Sequence, residues 1–293
     1  MLRVGLIGTG PWAKQIHAPG LADHPGTTLT AVWARRPEPA RELADEHGAV
    51  VAESFEELLD QVDAVAFAVP PAVQGVLAVQ AAEAGKHLIL EKPIAADLAS
   101  AQRLADAVAS AGVAALVVLT LRYAAQTREW LADIAETGGW QGGGARWLSG
   151  ALLGGAYQNS PWRVADGALA DIGPHVFDLM DATLGTITKV LAANRTPDDL
   201  WQVMFQHEGG ATSTATLSLR LPVQPTVTEF AVYGRDGYRT LGRKPGSAGE
   251  SYTSLLDDFA AMVACGTTEH PCDVRRGLHL QRIIHETRLL AGE

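Results

Sequence analysis

The residues whose types and spacing are most telling form a glycine-rich turn near residue 10. The turn follows an apolar run and opens a helical pattern, which is the strand–turn–helix setting of a dinucleotide site. Gly8 permits a tight turn, Gly10 lets the backbone approach a pyrophosphate, and the small Ala13 allows the helix to pack on the strand. Free N–H groups at the helix start would hold the phosphates, although a plain structural turn is the alternative. The predicted cofactor contacts in this turn are Gly8, Thr9, Gly10, Pro11 and Trp12.

The end of the second predicted strand indicates which nicotinamide cofactor the turn would hold. An NAD site places a carboxylate there to accept from the ribose 2′-hydroxyl, but this strand has no acidic residue before Glu38. Arg35 and Arg36 stand there instead, and their guanidinium groups could clasp a 2′-phosphate. The alternative is that both are solvated arginines beside a helix start at Pro37. The pattern therefore favours NADP, with NAD as the second choice.

Three further residues carry ionisable groups at positions that suit chemistry. Lys92 ends the fifth predicted strand, and it would point toward the reactive end of a cofactor because ligands bind at the carboxyl edge of a parallel sheet. Asp171 and His175 are four residues apart around a predicted helix start, so they would share a face. The structural alternatives are a surface charge for Lys92 and a satisfied helix histidine for His175. Asp171, His175 and Asp178 together could form a metal site. No further ligand group is evident in the sequence, so we predict no metal.

Composition and charge define the kind of protein that must position these residues. The 293 residues suit one large domain or two ordinary ones, and 47% hydrophobic with 19% charged residues favours a compact fold over disorder. A net charge of −10 without any long basic stretch argues against nucleic-acid binding, and two cysteines are too few for a disulfide scaffold. The longest uncharged run, Ala64–Ala82, is broken by two prolines, and the chain opens directly with a strand pattern. We therefore expect a cytoplasmic protein with no export signal and no membrane partner.

The first 121 residues predict an α/β domain with a doubly wound parallel sheet. Short apolar runs without alternation suit strands covered on both faces, and helical patterns between them predict right-handed crossovers. The predicted strands are Arg3–Ile7, Thr28–Trp33, Ala64–Val69, Lys86–Leu90 and Ala114–Leu119. The predicted helices are Ala13–Ala22, Pro37–His47, Phe55–Asp60, Ala72–Ala84 and Leu98–Ala111.

Residues 122–293 predict a second domain of α+β type with a largely antiparallel open sheet. Three β-rich segments carry partly alternating patterns, and Gly209-Gly210 separates the first two at hairpin spacing. These predicted strands are Trp201–Glu208, Ala211–Arg220 and Val227–Gly234. The predicted helices are Ala124–Thr137, Pro174–Leu184, Tyr252–Ala264 and Asp273–Leu290. We interpret the glycines of Gly138–Gly144 as a flexible turn and Lys244–Gly249 as a mobile loop.

Several of these segments together resemble the glucose–fructose oxidoreductase / inositol dehydrogenase (Gfo/Idh/MocA) family. They are the Gly8–Gly10 turn with His17 downstream, Asp63–Pro71, Ala84–Pro93 and Asp171–His175. The resemblance implies a Rossmann domain followed by an α/β domain whose open sheet often builds a homodimer or homotetramer. It also implies reversible NAD(P)-dependent oxidation of a hydroxyl on a sugar, a polyol or a related small molecule.

The resemblance assigns the catalytic roles to Lys92, Asp171 and His175. His175 would take the hydroxyl proton, since an imidazole with a pKa of about 6.5 suits this task at neutral pH. Lys92 would stabilise the developing alkoxide, and Asp171 would orient the pair or balance its charge. This mechanism requires Lys92 from the first domain and His175 from the second to meet over one nicotinamide ring. The Lys92–Pro93 peptide is often cis in relatives.

Further contacts are expected around this centre. Cofactor contacts would extend to Val69, Pro70, Gln74, Glu91 and Lys92. Substrate contacts are expected from Lys92, Tyr123, Trp162, Arg163 and His175, with Tyr157 and Asn159 as further candidates, although each could serve packing instead. The chain departs from the family at Gln74, where many relatives carry His, and at Thr120, where Asn is frequent. Two other functions stay open, namely a non-catalytic NADP-binding sensor or regulator of the same fold and a reductase of a non-sugar imine or ketone.

Overall fold

The computed structural model describes residues 1–155, 157–242 and 246–293, and these residues form two compact units. The first unit comprises Met1–Thr120 and Ser247–Leu278, and the second comprises Leu121–Gly246 and His279–Glu293. Within the described residues, no helix is both long enough and apolar enough to cross a lipid bilayer.

The first unit contains a six-stranded sheet in the order β3-β2-β1-β4-β5-β6, and all of its pairs are parallel. Its strands are β1 (Leu2–Ile7), β2 (Thr27–Trp33), β3 (Val50–Val51), β4 (Ala64–Phe67), β5 (His87–Leu90) and β6 (Ala115–Val117). The helices that follow them are α1 (Ala18–Asp23), α2 (Pro37–His47), α3 (Phe55–Gln61), α4 (Pro71–Glu83) and α5 (Leu98–Ala111). The central strand β4 is buried throughout, as its uniformly apolar sequence predicts. The predicted doubly wound fold is confirmed, and only the two-residue strand β3 was missed.

The segment after the glycine turn differs from the predicted α-helix. Residues Ala13–His17 form a π-helix, and the α-helical path starts only at Ala18, whose N–H bonds to the carbonyl of Ala13. Pro19 has no N–H, so a regular α-helix through this point would lose a hydrogen bond in any case. The wider turn places the side chain of His17 in the interior of the unit, where it is fully buried.

The second unit contains a mixed, mostly antiparallel sheet in the order β12-β11-β7-β10-β9-β8. Its strands are β7 (Trp140–Leu148), β8 (Ile187–Arg195), β9 (Trp201–His207), β10 (Thr212–Ser218), β11 (Val227–Gly234) and β12 (Gly237–Gly242). The other helices of the chain are α6 (Thr120–Tyr123), α7 (Ala125–Thr137), α8 (Pro161–Asp171), α9 (Gly173–Leu184), α10 (Ala248–Cys265) and α11 (Val274–Ala291). The antiparallel prediction holds for every pair except β7 with β10, which is parallel. The predicted α+β class is confirmed, whereas β7, β8, β12, α6 and α8 were not predicted.

The prediction that Gly138–Gly144 is a flexible turn was wrong for most of its length. Only the first two glycines have positive φ and make a turn, whereas the rest belong to β7, in the middle of the sheet. An added Cβ at Gly142 would lie 2.6 Å from the Tyr233 ring, and one at Gly143 would lie 2.7 Å from the carbonyl oxygen of Ala231. The neighbouring strand therefore lies so close to β7 that glycine is needed there for packing rather than for flexibility.

The start of α10 corrects the predicted loop Lys244–Gly249. Lys244 and Pro245 lie outside the described residues, but α10 already begins at Ala248. A capping box fixes this start, because the Ser247 hydroxyl accepts from the Glu250 N–H at 3.1 Å and the Glu250 carboxylate accepts from the Ser247 N–H at 3.0 Å. The predicted loop is therefore helical from its fifth residue onward.

Helix α10 packs in the first unit. The ring of Tyr252 lies against α1 where Gly20 leaves room for it, since an added Cβ at Gly20 would be 2.5 Å from that ring. The predicted division after residue 121 assigned α10 to the second domain, whereas these packing contacts lie in the first unit. The division by role, with cofactor binding in residues 1–121 and substrate binding in residues 122–293, stays a prediction.

The close approach of β11 to β7 makes Gly143→Ala destabilising. The added methyl group would have to displace the backbone of Ala231 or the side chain of Leu184, which is 3.1 Å away, so we expect a loss of about 1–3 kcal/mol in the free energy of unfolding. Gly242→Ala is the matched control, because an added Cβ there meets no atom within 4 Å. Urea unfolding measures both variants, and equal stabilities would contradict this account of the strand.

Candidate functional site

The glycine turn has the shape that a dinucleotide requires. Gly8 has a φ of 105°, and an added Cβ would clash with the carbonyl oxygen of Ala68 at the end of β4. An added Cβ at Gly10, in contrast, meets nothing within 4 Å, so the space over this backbone is open. The other predicted contact residues along this edge are Thr9 and Val69, which are half-buried, and Pro11 and Pro70, which are exposed. The turn therefore fits a pyrophosphate that approaches its backbone.

The two arginines that follow β2 are available to a ligand. Arg35 and Arg36 are exposed, and α2 begins directly after them at Pro37. Among the described residues, neither guanidinium has a hydrogen bond or an ion pair with another side chain. The nearest acidic residue in the chain direction is Glu38, which lies one residue inside α2. This edge therefore presents positive charge where an NAD site would present a carboxylate.

The segment that carries Lys92 is anchored by the buried side chain of Gln74. The Gln74 amide donates to the carbonyls of Glu91 at 2.7 Å and Ile94 at 3.0 Å, and its oxygen accepts from the Glu91 N–H at 2.8 Å. Lys92 is half-buried, and its peptide bond to Pro93 is cis. The Gln74 side chain therefore acts like a peptide group that holds the end of β5. Its predicted contact with the cofactor stays a prediction.

A second set of hydrogen bonds converges on the carboxylate of Glu91. The Trp12 indole donates to Oε1 at 2.7 Å, and His17 Nε2 lies 3.0 Å from the same oxygen. The Lys92 N–H donates to Oε2 at 3.3 Å. On its other side, His17 Nδ1 lies 3.0 Å from the hydroxyl of Tyr252, and both of these side chains are fully buried. Burial and, to a smaller extent, the charge of Glu91 raise the pKa of Tyr252 well above its usual value, so the phenol keeps its proton.

In the second unit, Asp171 is engaged by Arg163. The Arg163 Nε donates to the Asp171 carboxylate at 3.1 Å, and both side chains are largely buried. The guanidinium carbon also lies 4.4 Å from the centroid of the Trp162 ring and 4.4 Å from that of the Tyr157 ring. Two aromatic rings and a carboxylate thus fix this cation in one orientation. Asn159 is exposed nearby in the chain.

His175 is buried in the first turn of α9. Its ring stacks on the ring of Trp147 from β7, with 5.9 Å between centroids and an interplanar angle of 28°. One turn later on α9, the fully buried Asp178 pairs with Arg122 at 3.1 Å. Tyr123, next to Arg122, is buried as well. Within the described residues, no group of three or more acidic, histidine or cysteine side chains is arranged to hold a metal ion.

Asp199 was not predicted, although it determines the path of the segment that carries Asp171. Helix α8 is interrupted at Gly167, where φ is 65° and ψ is −157°. The buried Asp199 carboxylate occupies the space that a Cβ of Gly167 would need, and it accepts from the Ala168 N–H at 2.8 Å. It thereby caps the last turn of α8, and it also accepts from the Trp201 indole at 2.9 Å. The sequence Pro197–Asp199, which ends with this residue, signals a turn, but nothing in it indicates this contact.

The structure brings the predicted residues together in two groups. The first unit groups the cofactor turn and the Lys92 segment through Glu91, and it adds His17 and Tyr252. The second unit groups Asp171 with Arg163 and its aromatic neighbours, and it carries His175. Joint action of the two groups is a proposal.

Two family models match the chain. The model described as "Oxidoreductase family, NAD-binding Rossmann fold" matches residues 2–119, and the model described as "GFO/IDH/MocA C-terminal domain" matches residues 143–239. Among curated proteins, the chain is similar to a dTDP-3,4-didehydro-2,6-dideoxy-alpha-D-glucose 3-reductase from Streptomyces violaceoruber, with 33% identity over 205 residues. This alignment covers 66% of the chain and 57% of the reductase.

Solved structures show the same fold. GenD2 from gentamicin A biosynthesis, in complex with NAD, gives a TM-score of 0.87 at 20% identity, with 100% of this chain and 94% of that chain covered. A 3-ketoreductase from Actinomadura kijaniata, in complex with TDP-benzene and NADP, gives a TM-score of 0.79 at 20% identity, with 99% and 97% covered. At these identities the likeness concerns the fold alone.

The cap that Asp199 provides can be tested by Asp199→Ala. The substitution leaves the buried Ala168 N–H and the Trp201 indole without their acceptor, and it places alanine at a φ of 59°. We expect a loss of about 2–4 kcal/mol in the free energy of unfolding. Asp198→Ala removes the same charge from an exposed neighbour and should change stability by less than about 0.5 kcal/mol. Urea unfolding compares the two variants, and a similar small effect in both would refute the role of the cap.

Proposed function

Because the chain belongs to the Gfo/Idh/MocA family of oxidoreductases, we propose that it is a nicotinamide-dependent dehydrogenase or reductase. Its substrate would be a sugar, a polyol or a related small molecule. Hydride transfer would take place at a carbon that carries a hydroxyl or keto group. The observation that carries this proposal is the anchoring of Lys92. Gln74 and Glu91 hold the Lys92 segment at the carboxyl end of β5, in the same unit as the open turn at Gly10.

The cofactor would be held by the edge of the first sheet. The backbone around Gly8 and Gly10 would receive the pyrophosphate, and Arg35 and Arg36 would pair with a 2′-phosphate. The exposure of both arginines and the lack of a carboxylate before Glu38 support NADP as the preferred form. When bound, the nicotinamide supplies the acceptor or donor of a hydride.

The protein's own residues would handle the proton and the charge on oxygen. In the direction of oxidation, His175 accepts the hydroxyl proton while Lys92 stabilises the negative charge that develops on that oxygen. Asp171 does not have to receive the proton, because Arg163 already holds its carboxylate as an ion pair. In the direction of reduction, His175 returns the proton to the oxygen.

The substrate would contact the second unit. Trp162, Arg163 and Tyr157 offer aromatic faces beside an oriented cation, which suits a polyhydroxylated ring with a polar substituent. Tyr123 is buried and would form the floor of such a pocket rather than its rim. The similarity to a reductase of a dTDP-linked keto sugar makes nucleotide-linked keto sugars the first compounds to test.

A homo-oligomer is part of the proposal, because the second sheet has an uncovered face. In the register of the sheet, Tyr233 on β11 lies in line with Gly142 on β7, Thr212 on β10 and Gln206 on β9. Met204 lies two residues before Gln206 on β9, so its side chain is on the same face of the sheet as that of Tyr233. Tyr233 and Met204 are both exposed. An exposed aromatic and an exposed thioether on one sheet face support a contact between subunits there.

Cofactor preference is tested by titrating the protein with NADPH and NADH and following nicotinamide fluorescence. We expect tighter binding of NADPH, because two guanidinium groups can pair with its extra phosphate. Arg35→Ala should narrow the difference about tenfold, which is the scale of a charge-assisted hydrogen bond. Arg41→Ala, on the exposed face of α2, removes the same charge away from the turn and should leave the difference unchanged. Equal affinities of the wild-type protein for the two cofactors would overturn the NADP assignment.

The proton-transfer role of His175 is tested on the substrate found in a screen of sugars, inositols and nucleotide-linked keto sugars with both cofactors. His175→Ala should lower turnover about 100-fold or more while cofactor affinity stays nearly constant, because only general-base assistance is lost. His285→Ala, an exposed histidine on α11, serves as the control. Unchanged turnover would remove His175 from the mechanism. Binding of NADPH without turnover of any compound would favour a sensor or regulator instead.

A further inference from the structure

The hydrogen bonds between Tyr252, His17 and Glu91 form a chain whose direction is set by its two ends. Glu91 ends the chain as a carboxylate, which can only accept, so His17 Nε2 must carry a proton to bond with it at 3.0 Å. The Tyr252 phenol keeps its proton and can donate it to His17 Nδ1, which lies 3.0 Å away. A neutral imidazole satisfies both bonds with one proton on Nε2 and none on Nδ1. The alternative is a doubly protonated ring, from which Tyr252 would accept.

The surroundings of the imidazole favour the neutral form. His17 and Tyr252 are fully buried, and their rings lie 4.8 Å apart at an angle of 56°. The Glu91 carboxylate pairs with the ring at 3.0 Å, and it already accepts from the Trp12 indole at 2.7 Å through the same oxygen. A neutral ring satisfies both hydrogen bonds without placing a charge on the fully buried imidazole, whereas an imidazolium would have to be desolvated there even with Glu91 as its counter-charge.

The chain of bonds ends on the two elements that the proposed function needs. Through Oε1, Glu91 holds Trp12, which lies two residues after Gly10 in the cofactor turn. Through Oε2, it accepts from the backbone of Lys92. A change in the orientation of this carboxylate would therefore alter the hydrogen bonds that hold both the cofactor turn and the Lys92 backbone.

We infer that Tyr252 and His17 are positioning residues for the proposed site. The Tyr252 hydroxyl donates to Nδ1 of a neutral His17, and the Nε2–H of His17 fixes the Glu91 carboxylate that orients the cofactor turn and Lys92. Neither residue has to touch the cofactor or the substrate. The functional part of this inference rests on the proposed function, whereas the hydrogen-bond chain itself does not.

The hydrogen-bond chain from Tyr252 through His17 to Glu91 is tested first in the protein without cofactor, by nitrogen NMR after labelling with ¹⁵N-histidine. The His17 signals are identified by their absence in His17→Gln. We expect a protonated Nε2 and an unprotonated Nδ1 in the wild-type protein. In Tyr252→Phe, the Nδ1 signal should move to higher frequency, because the unprotonated nitrogen loses its donor, whereas it should not move in Tyr238→Phe, an exposed tyrosine on β12. A doubly protonated His17 in the wild-type protein, or an unmoved Nδ1 signal in Tyr252→Phe, would overturn the inference.

The positioning role is tested by titrating the same variants with NADPH. Tyr252→Phe keeps the ring that packs on Gly20 and removes only the hydroxyl, so we expect about 3- to 10-fold weaker NADPH binding, the scale of one hydrogen bond. Tyr238→Phe should bind as the wild type does. If the Nδ1 signal moves but affinity and turnover stay at wild-type values, Tyr252 is a packing residue and the positioning role is refuted. If the wild type binds no nicotinamide cofactor, the proposed function fails while the NMR result still decides the tautomer of His17.

Discussion

The carboxylate of Glu91 holds together the part of the first unit that carries the cofactor turn and Lys92. It stands where β5 ends, and it accepts from an indole of the cofactor turn, from an imidazole of the π-helix and from the backbone of Lys92. A largely buried carboxylate is stable only when its oxygens are well supplied with donors, so each of these elements has to stay in place. The turn, the first helix and the lysine segment are thus fixed relative to one another by one group.

Much of the fold could be predicted because the signals are local. The alternation of apolar runs with helical patterns determines a parallel sheet whatever the long-range details, and this prediction was confirmed with small shifts at the ends of elements. The second sheet was harder. The glycine-rich start of β7 has the composition of a turn. Only the close approach of Tyr233 and Ala231 from the neighbouring strand explains why these glycines lie in the middle of a sheet. That approach depends on strand pairing, which single-residue preferences do not encode.

The same distinction separates the site residues that were predicted from those that were missed. The turn at Gly8 and the arginines after β2 are recognisable because motif and structural context are adjacent in sequence. Tyr252 meets His17 across 235 residues, and Asp199 caps a helix that lies 31 residues before it. Neither belongs to a local motif, since their partners come from elements that only the folded chain brings together. The sequence does show a glycine within a helix at positions 20 and 167. Gly20 makes room for the side chain of Tyr252, and Gly167 makes room for that of Asp199.

The return of α10 to the first unit has a practical consequence for anyone who wishes to express the nucleotide-binding half alone. A fragment cut where the first family model ends, at residue 119, would lack the helix that covers Gly20 and His17. Its surface would expose an imidazole and a helix face that are enclosed in the full chain, and such a fragment would be prone to aggregate. A workable truncation would have to splice residues 247–278 back onto the shortened gene rather than simply end it early.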